Sequence, residues 1–211
     1  MADKVYDITI IGGGPAGLFG AFYAGMRAAS CKIIDAGDKL GGIMVTEYPD
    51  EILRDVAGFT LVSAKALAAD LVRQMEIYNH TVCLGEKVVE FKREGDNWKI
   101  KTDKGEHLSR TIVLGLGDYN RMRERAKAFC EMIEALGVKV DQAGVVVDEN
   151  MQTSVPGLFA CGDIISKADD LKRITPANAE AAVAVNNAVK HIRPDSDTFP
   201  GYSTDLNQAK K

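Results

Sequence analysis

The spacing of apolar positions changes several times along the chain, and each change marks an element. The run Tyr6-Asp-Ile-Thr-Ile-Ile is rich in β-branched residues and reads as a buried strand. An alanine-rich segment, Leu18 to Ala29, follows as a helix, and a second apolar run, Cys31 to Ile34, as the next strand. Ser63 stands where an N-cap belongs, because Ala64, Leu67, Leu71, Met75 and Tyr78 then recur at helical spacing. Between Thr81 and Leu114 the pattern becomes strand-like, with Val82 to Leu84, Val88 to Phe91, Trp98 to Ile100 and Thr111 to Leu114. Turn residues at Gly95-Asp96-Asn97 and Lys104-Gly105 separate some of these runs, which predicts a small antiparallel meander and then a return strand into the main sheet. From Asp118 to Leu136 the positions Met122, Ala126, Phe129, Ile133 and Leu136 alternate in steps of four and three, which predicts one amphipathic helix. A turn at Val155-Pro156-Gly157 delivers a last apolar strand, Leu158 to Cys161, and Thr175-Pro176 opens a long alanine-rich helix to about His191.

The punctuation between the first strand and helix carries the chemistry. Gly12, Gly14 and Gly17 have GxGxxG spacing, with Pro15 and Ala16 between the last two. The first glycine permits the tight turn, the second lets backbone approach a pyrophosphate, and the third lets the helix pack on the sheet. Phosphates then meet the unpaired N–H groups at the positive end of the helix. A lone glycine motif is weak, but here the second strand ends in Asp35, a carboxylate suited to ribose hydroxyls and hostile to a 2′-phosphate. The order of elements predicts an α/β fold with a doubly wound, Rossmann-like parallel sheet. Gly41-Gly42 again allows close approach to a ligand. Tyr48, held extended by Pro49, reads either as core packing or as a platform for a flat cofactor, with spacing alone slightly favouring the core. Gly162-Asp163 ends the last strand; the aspartate either caps a turn or accepts hydrogen bonds from ligand hydroxyls, and the glycine motif favours the ligand.

Composition narrows the class. A chain of 211 residues, nearly half apolar, can bury one substantial core, and a net charge of −4 argues against a general nucleic-acid role. Cys31, Cys83, Cys130 and Cys161 have neither disulfide-framework nor CxxC spacing, and the three histidines lie far apart, so no metal site is expected. The uncharged stretch Ile8 to Met26 approaches membrane-spanning length but contains clustered glycines and a proline, and no signal-peptide pattern precedes it. The expectation is a soluble, cytoplasmic protein without a membrane partner. Arg121, Arg123, Arg125 and Lys127 crowd the start of the predicted 118–136 helix, the unfavourable end for positive charge; such a run is usually a solvated face, less often a docking patch for an acidic partner.

With these motifs in hand, the chain resembles the FAD-binding half of flavoproteins built from two dinucleotide-binding domains, in particular ferredoxin–NADP reductases of the thioredoxin-reductase-like type. The likeness covers Val5 to Arg93, including Ala-Phe-Tyr-Ala-Gly-Met-Arg and Asp55-Val-Ala-Gly-Phe59, and resumes from about Asp148 through Gly162-Asp163 and Glu180 to Ala188 to the C-terminus. It implies FAD as cofactor, held by Gly12, Gly14, Pro15, Ala16, Gly17, Asp35, Gly42, Ile43, Tyr48, Asp55, Val88, Gly117, Gly162, Asp163, Ile174, Thr175, Ala177, Tyr202, Ser203 and Thr204. In that set Asp35 takes the adenosine ribose, where relatives carry Glu. Val88 offers main chain to adenine, and Asp163 accepts from the ribityl chain. Tyr48 stacks on one face of the ring system, which reverses the reading from spacing. Ile174 to Ala177 form the helix start beneath the flavin, and Tyr202 covers the other face with Ser203 and Thr204 nearby. That arm reaches the neighbouring protomer in such reductases, so a homodimer is implied.

Two departures shape the functional expectation. Ile43 stands where relatives place a glutamine that contacts the flavin. The NADPH-binding domain, expected between about 118 and 144, is replaced by a single predicted helix, with no second GxGxxG and no CxxC. The expected organisation is one FAD-binding domain over 1–191 and a C-terminal arm over 192–211. The expected function is transfer of electrons between bound FAD and a protein such as ferredoxin or flavodoxin, or a small molecule, with weak or no direct use of NADPH. No protein side chain is expected to be catalytic, since the flavin carries the chemistry. Alternatives are a non-catalytic or engineered FAD-binding module and a single-domain enzyme of thiazole-synthase type, for which Cys161 is the one candidate thiol beside the site.

Overall fold

The computed structural model describes residues 4–167, 171–197, 201, 202 and 204. Nine strands and six helices occupy them: β1 (Val5–Ile11), α1 (Pro15–Met26), β2 (Cys31–Ile34), α2 (Ile43–Thr46), β3 (Ile52–Leu53), β4 (Val62–Ser63), α3 (Ala64–Met75), β5 (Thr81–Cys83), β6 (Val88–Glu94), β7 (Asn97–Thr102), β8 (Glu106–Leu114), α4 (Tyr119–Arg125), α5 (Lys127–Ala135), β9 (Leu158–Ala160) and α6 (Ile174–Ile192). A 3-10 turn over Gly162–Ile164 follows β9.

Seven strands form one sheet in the order β5-β2-β1-β8-β7-β6, with β9 also on β8. The parallel portion, β5, β2, β1, β8 and β9, is the predicted doubly wound core. The meander is present, but differently assembled from the expectation. Val82 belongs to β5, which pairs in parallel with β2 and forms the sheet edge, so this run is outside the meander. The predicted return strand is the far half of the third meander strand. Residues 106–109 of β8 pair antiparallel with β7, whereas Ile112 to Leu114 pair in parallel with β9. One continuous strand thus serves both pairings, because its last residues alternate into both cores and leave no turn residue to break it.

Each face of the sheet has its own core. Ile8, Ile10, Ile33, Val113 and Phe159 pack against the small residues of α1 and α6 and the apolar stripe of α3. Ile11, Ile34, Ile112, Leu114 and Leu158 point the other way, where Phe91, Trp98, Phe129 and Ile133 from the meander and α5 close over them. Ser63 caps α3 as its sequence indicates, with Oγ accepting from Ala66 N at 3.4 Å. The loop after Asp35 contains one unexpected turn of helix, α2.

The segment 118–136 is two helices rather than one. Asp118 caps α4 by accepting from Arg121 N at 2.9 Å, and Ala126 leaves helical geometry at φ −141° and ψ 47° before α5 begins. The break changes the electrostatics: Arg123 and Arg125 now lie in the last turn of α4, where positive charge is favourable. Arg121 and Arg125 each reach Glu47 at 2.9 Å, so these two cations grip the loop that carries Tyr48. Among the described residues no helix is long and apolar enough to cross a membrane.

Candidate dinucleotide site

Three segments distant in sequence meet at the carboxyl ends of β1 and β9. Gly12 leaves β1 at φ +107°, and a Cβ on Gly17 would lie 1.9 Å from the Gly12 carbonyl oxygen, so the turn and α1 are pressed together. Gly14 is different: a Cβ there meets nothing within 4 Å, and it caps α1 without any side chain. The first turn of α1 therefore presents its N–H groups beside open space. Gly41 N donates to Gly13 O at 2.8 Å, and a Cβ on Gly42 would come within 3.1 Å of Gly14 Cα, which folds the second glycine pair against the first.

Gly162 completes the junction. A Cβ there would stand 3.2 Å from Ala16 Cβ and 3.7 Å from Ala177 Cβ, so the turn after β9 is wedged between the starts of α1 and α6. Its N–H donates to Glu180 Oε2 at 2.8 Å, and Glu180 is held in turn by Lys167 at 3.0 Å. Glu180 is a positioning residue that sequence reading left without a role. The one signal was an acid within an otherwise alanine-rich helix.

Two of the three predicted aspartates, Asp35 and Asp163, behave differently from each other. Asp35 accepts from the backbone of Gly13 and, at 2.7 Å, from that of Gly37, thereby shaping the glycine turn itself. Asp163 has one carboxylate oxygen, Oδ1, buried without a hydrogen-bond partner among the described residues. Burial raises its carboxyl above the ordinary aspartate range, against the pull of Lys167 and Lys172. A buried oxygen of this kind is costly unless a donor arrives. Tyr48 is half-buried, and its phenol is pushed up first by burial and then by the nearby charge of Asp163. These two predicted ligands are therefore neighbours.

The start of α6 is tied down by Thr175, whose hydroxyl donates to Asp55 O at 3.2 Å and accepts from Ala57 N at 3.3 Å. The Asp55 carboxylate meets Arg173 at 3.4 Å. Both side-chain contacts are internal, so Thr175 and Asp55 brace the wall. Ile174 packs on the helical core, and Ile43, at the start of α2, is 39% exposed. Val88 buries its side chain in the second core, and Gly117 takes φ +78° just before the Asp118 cap. Tyr202 is mostly exposed and Thr204 exposed, whereas Ser203 lies outside the described residues. Cys161 is fully buried, with its thiol pushed up to about 12 by that burial. A thiol so placed is inert, which removes the support for a thiazole-synthase-like reaction.

An open glycine turn at a helix start and an unpartnered carboxylate across the junction fit the two ends of a dinucleotide. The fold and site thus define a dinucleotide-binding α/β protein. Residues 62–188 match the pyridine nucleotide-disulphide oxidoreductase family, and the chain belongs to it. Members of this family are FAD-binding flavoproteins. A ferredoxin–NADP reductase of Enterococcus faecalis is 45% identical over 329 aligned positions, covering 98% of each chain. Another from Halalkalibacterium halodurans is 28% identical, covering 97% of this chain and 98% of its own. In the first case the aligned positions outnumber the 211 residues of this chain, so a long stretch of the relative has no counterpart here. Among solved structures, a thioredoxin reductase from Streptococcus pyogenes superposes with a TM-score of 0.78 at 17% identity, over 92% of this chain and all of its own. A ferredoxin-flavin thioredoxin reductase from Clostridium acetobutylicum gives 0.73 at 16%, over 90% and 98%.

Proposed function

We propose that this chain is a redox flavoprotein domain that holds FAD non-covalently and passes electrons between it and a protein or small-molecule partner, with no NADPH domain of its own. The observation that carries the reading is the buried, unpartnered oxygen of Asp163, the residue after Gly162, which is itself wedged between Ala16 and Ala177. It is an acceptor awaiting a hydroxyl donor, opposite a turn with room for a pyrophosphate. When bound, the flavin supplies the electron chemistry.

The chain's own residues bind and orient. The N–H groups of the first turn of α1 would take the pyrophosphate, and Asp35 the adenosine ribose through whatever capacity its two backbone bonds leave. Asp163 would accept from the ribityl chain and Tyr48 would lie against the ring system. The start of α6 adds the positive end of a helix dipole, which favours negative charge at that end of the site. Ile43 provides no amide contact.

The missing nicotinamide domain is read from the alignment gap and from the short path between β8 and β9, which α4 and α5 fill. Electrons would then come from a partner such as ferredoxin or flavodoxin, with a nicotinamide reacting at most by collision. Residues 1–191 would form the domain, and the arm from 192 would reach a second copy in a cytoplasmic homodimer.

The test is an absorption spectrum of the purified protein with anaerobic NADPH and NADH titrations on the same sample. A yellow protein that releases FAD on denaturation and stays oxidised with either nucleotide supports the reading. A colourless protein that cannot be reconstituted with FAD overturns it. Rapid, saturable reduction by NADPH overturns the claim about the electron source alone. Photoreduced protein that passes electrons to ferredoxin, quinone or dioxygen no faster than free flavin does would mark a binding module without turnover.

A further inference from the structure

The end of β5, the loop after it and the start of β8 converge on Cys83, Glu86 and His107. One donor atom from each, a thiol sulfur, a carboxylate oxygen and an imidazole nitrogen, lies within 4.8 Å of the other two; this is the one such group among the described residues. The side chains of Glu86 and His107 are 10% and 14% exposed, so these two groups are largely shielded from water, and Cys83 is half-buried beside them. His107 Nε2 stands 2.6 Å from Glu86 Oε1, and the same oxygen accepts from Thr102 Oγ1 at 2.6 Å. A surface ion pair needs no thiol, and a lone buried cysteine needs no imidazole or carboxylate.

We propose that Cys83, Glu86 and His107 form a binding site for a divalent cation of the zinc type, with a fourth position left to water. Thiolate, imidazole and carboxylate together are a donor set that zinc selects. Bonds of about 2.0–2.3 Å set tetrahedral donors about 3.3–3.7 Å apart. The present spacing reaches that by side-chain shifts of about 1 Å, with the His107–Glu86 contact opening to admit the ion.

Lys32 opposes the ion. Its ammonium lies 2.6 Å from His107 Nδ1 and 4.5 Å from the centre of the Tyr6 ring. Without the ion, Lys32 donates to Nδ1 and Nε2 donates to Glu86. When Nε2 becomes a ligand its proton moves to Nδ1, the Cys83 proton leaves, and Lys32 must either lose a proton or swing away. Removing Lys32 should therefore tighten binding, the reverse of what loss of a ligand does.

The site has a structural consequence near the dinucleotide. Asp35 N donates to Cys83 O at 2.9 Å, Glu86 N to Asp35 O at 3.0 Å, and Gly85 N to Gly37 O at 2.7 Å. An ion held by Cys83 and Glu86 would brace the backbone strap that carries Asp35. The proposal does not depend on which cofactor the chain holds.

Cobalt(II) titration of the 211-residue chain, stripped with a chelator and read as a difference spectrum against the cobalt-free protein, tests it. One equivalent should bind with a thiolate-to-cobalt charge-transfer band and the intense visible absorption of tetrahedral cobalt. Cys83→Ser should abolish the charge-transfer band, His107→Gln should weaken binding tenfold or more, and Lys32→Met should tighten it about tenfold. No band in the wild-type protein overturns the proposal, as does an unchanged band in Cys83→Ser. If Cys83→Ser does not fold, Lys32→Met still decides: equal or weaker binding than wild type overturns it.

Discussion

Asp35 and Asp163, the two carboxylates proposed to hold the cofactor's adenosine ribose and ribityl chain, stand in different states. Asp35 ends β2 and spends both oxygens on backbone N–H groups of Gly13 and Gly37. Asp163, in the turn after β9, keeps one oxygen buried and unpartnered. The first carboxylate belongs to the fold before any ligand arrives. The second is a cost to the fold that donors from a ligand would relieve. A missing partner beside a glycine turn is thus a reason to propose a ligand position, as much as a contact is.

Four variants break or sharpen this contrast. The largest effect is expected from Gly17→Val, whose Cβ would be driven into the Gly12 carbonyl. It should cost about 3 kcal/mol or more and abolish cofactor retention, because it displaces the turn both carboxylates depend on. Urea unfolding and the bound-cofactor ratio measure the two losses; a stable, loaded variant would contradict the packing described here.

Asp35→Ala should destabilise even the cofactor-free chain by about 1–3 kcal/mol, since two backbone donors lose their acceptor. Asp163→Asn should do the opposite, stabilising the cofactor-free chain by about 1 kcal/mol while weakening cofactor binding about tenfold or more. Parallel denaturation of the two apo variants, with cofactor titration, decides the comparison. Both moving in one direction would end it.

The pH dependence carries the same sign. Burial raises the Asp163 carboxyl, so the folded chain holds that proton longer than the unfolded chain does. Its contribution to stability is fully present below the unfolded value, about 4, and is lost as pH rises through the folded value. Asp163→Asn should remove that decline from the urea midpoint measured between about pH 4 and 7. The smallest effect belongs to the Glu47 clamp. Bonds to Arg125 and Arg121 hold the Glu47 carboxyl below its usual range, so its contribution is lost as pH falls through that lowered value. Arg121→Gln with Arg125→Gln should lower the urea midpoint least of all, an effect that vanishes in high salt, since both arginines are exposed.

The sequence was most legible where a local rule has one solution. The turn at Gly12 and Gly17, the Ser63 cap and the alanine-rich α6 were each readable from a few adjacent residues. The reading failed where neighbours decide. Nothing in the period of residues 118–136 reveals that Ala126 breaks the helix, because Met122, Ala126, Phe129 and Ile133 keep helical spacing across the break. Val82 reads as a meander strand until its pairing with Ile33 is seen. The histidines lie far apart in sequence, yet β5 and β8 carry His107 to Glu86 and Cys83.

By itself the sequence determined the class of fold and the glycine turn, because backbone conformation and strand–turn–helix order depend on short-range sterics, while the cofactor type came from the resemblance to a flavoprotein family. Only the tertiary structure decided which carboxylate is satisfied, which helix end the arginines occupy, and that Gly162 is wedged between Ala16 and Ala177. Those depend on which donors and charges the folded chain brings within hydrogen-bond or contact distance. Spacing along the chain does not record such separations between segments that meet only in the fold.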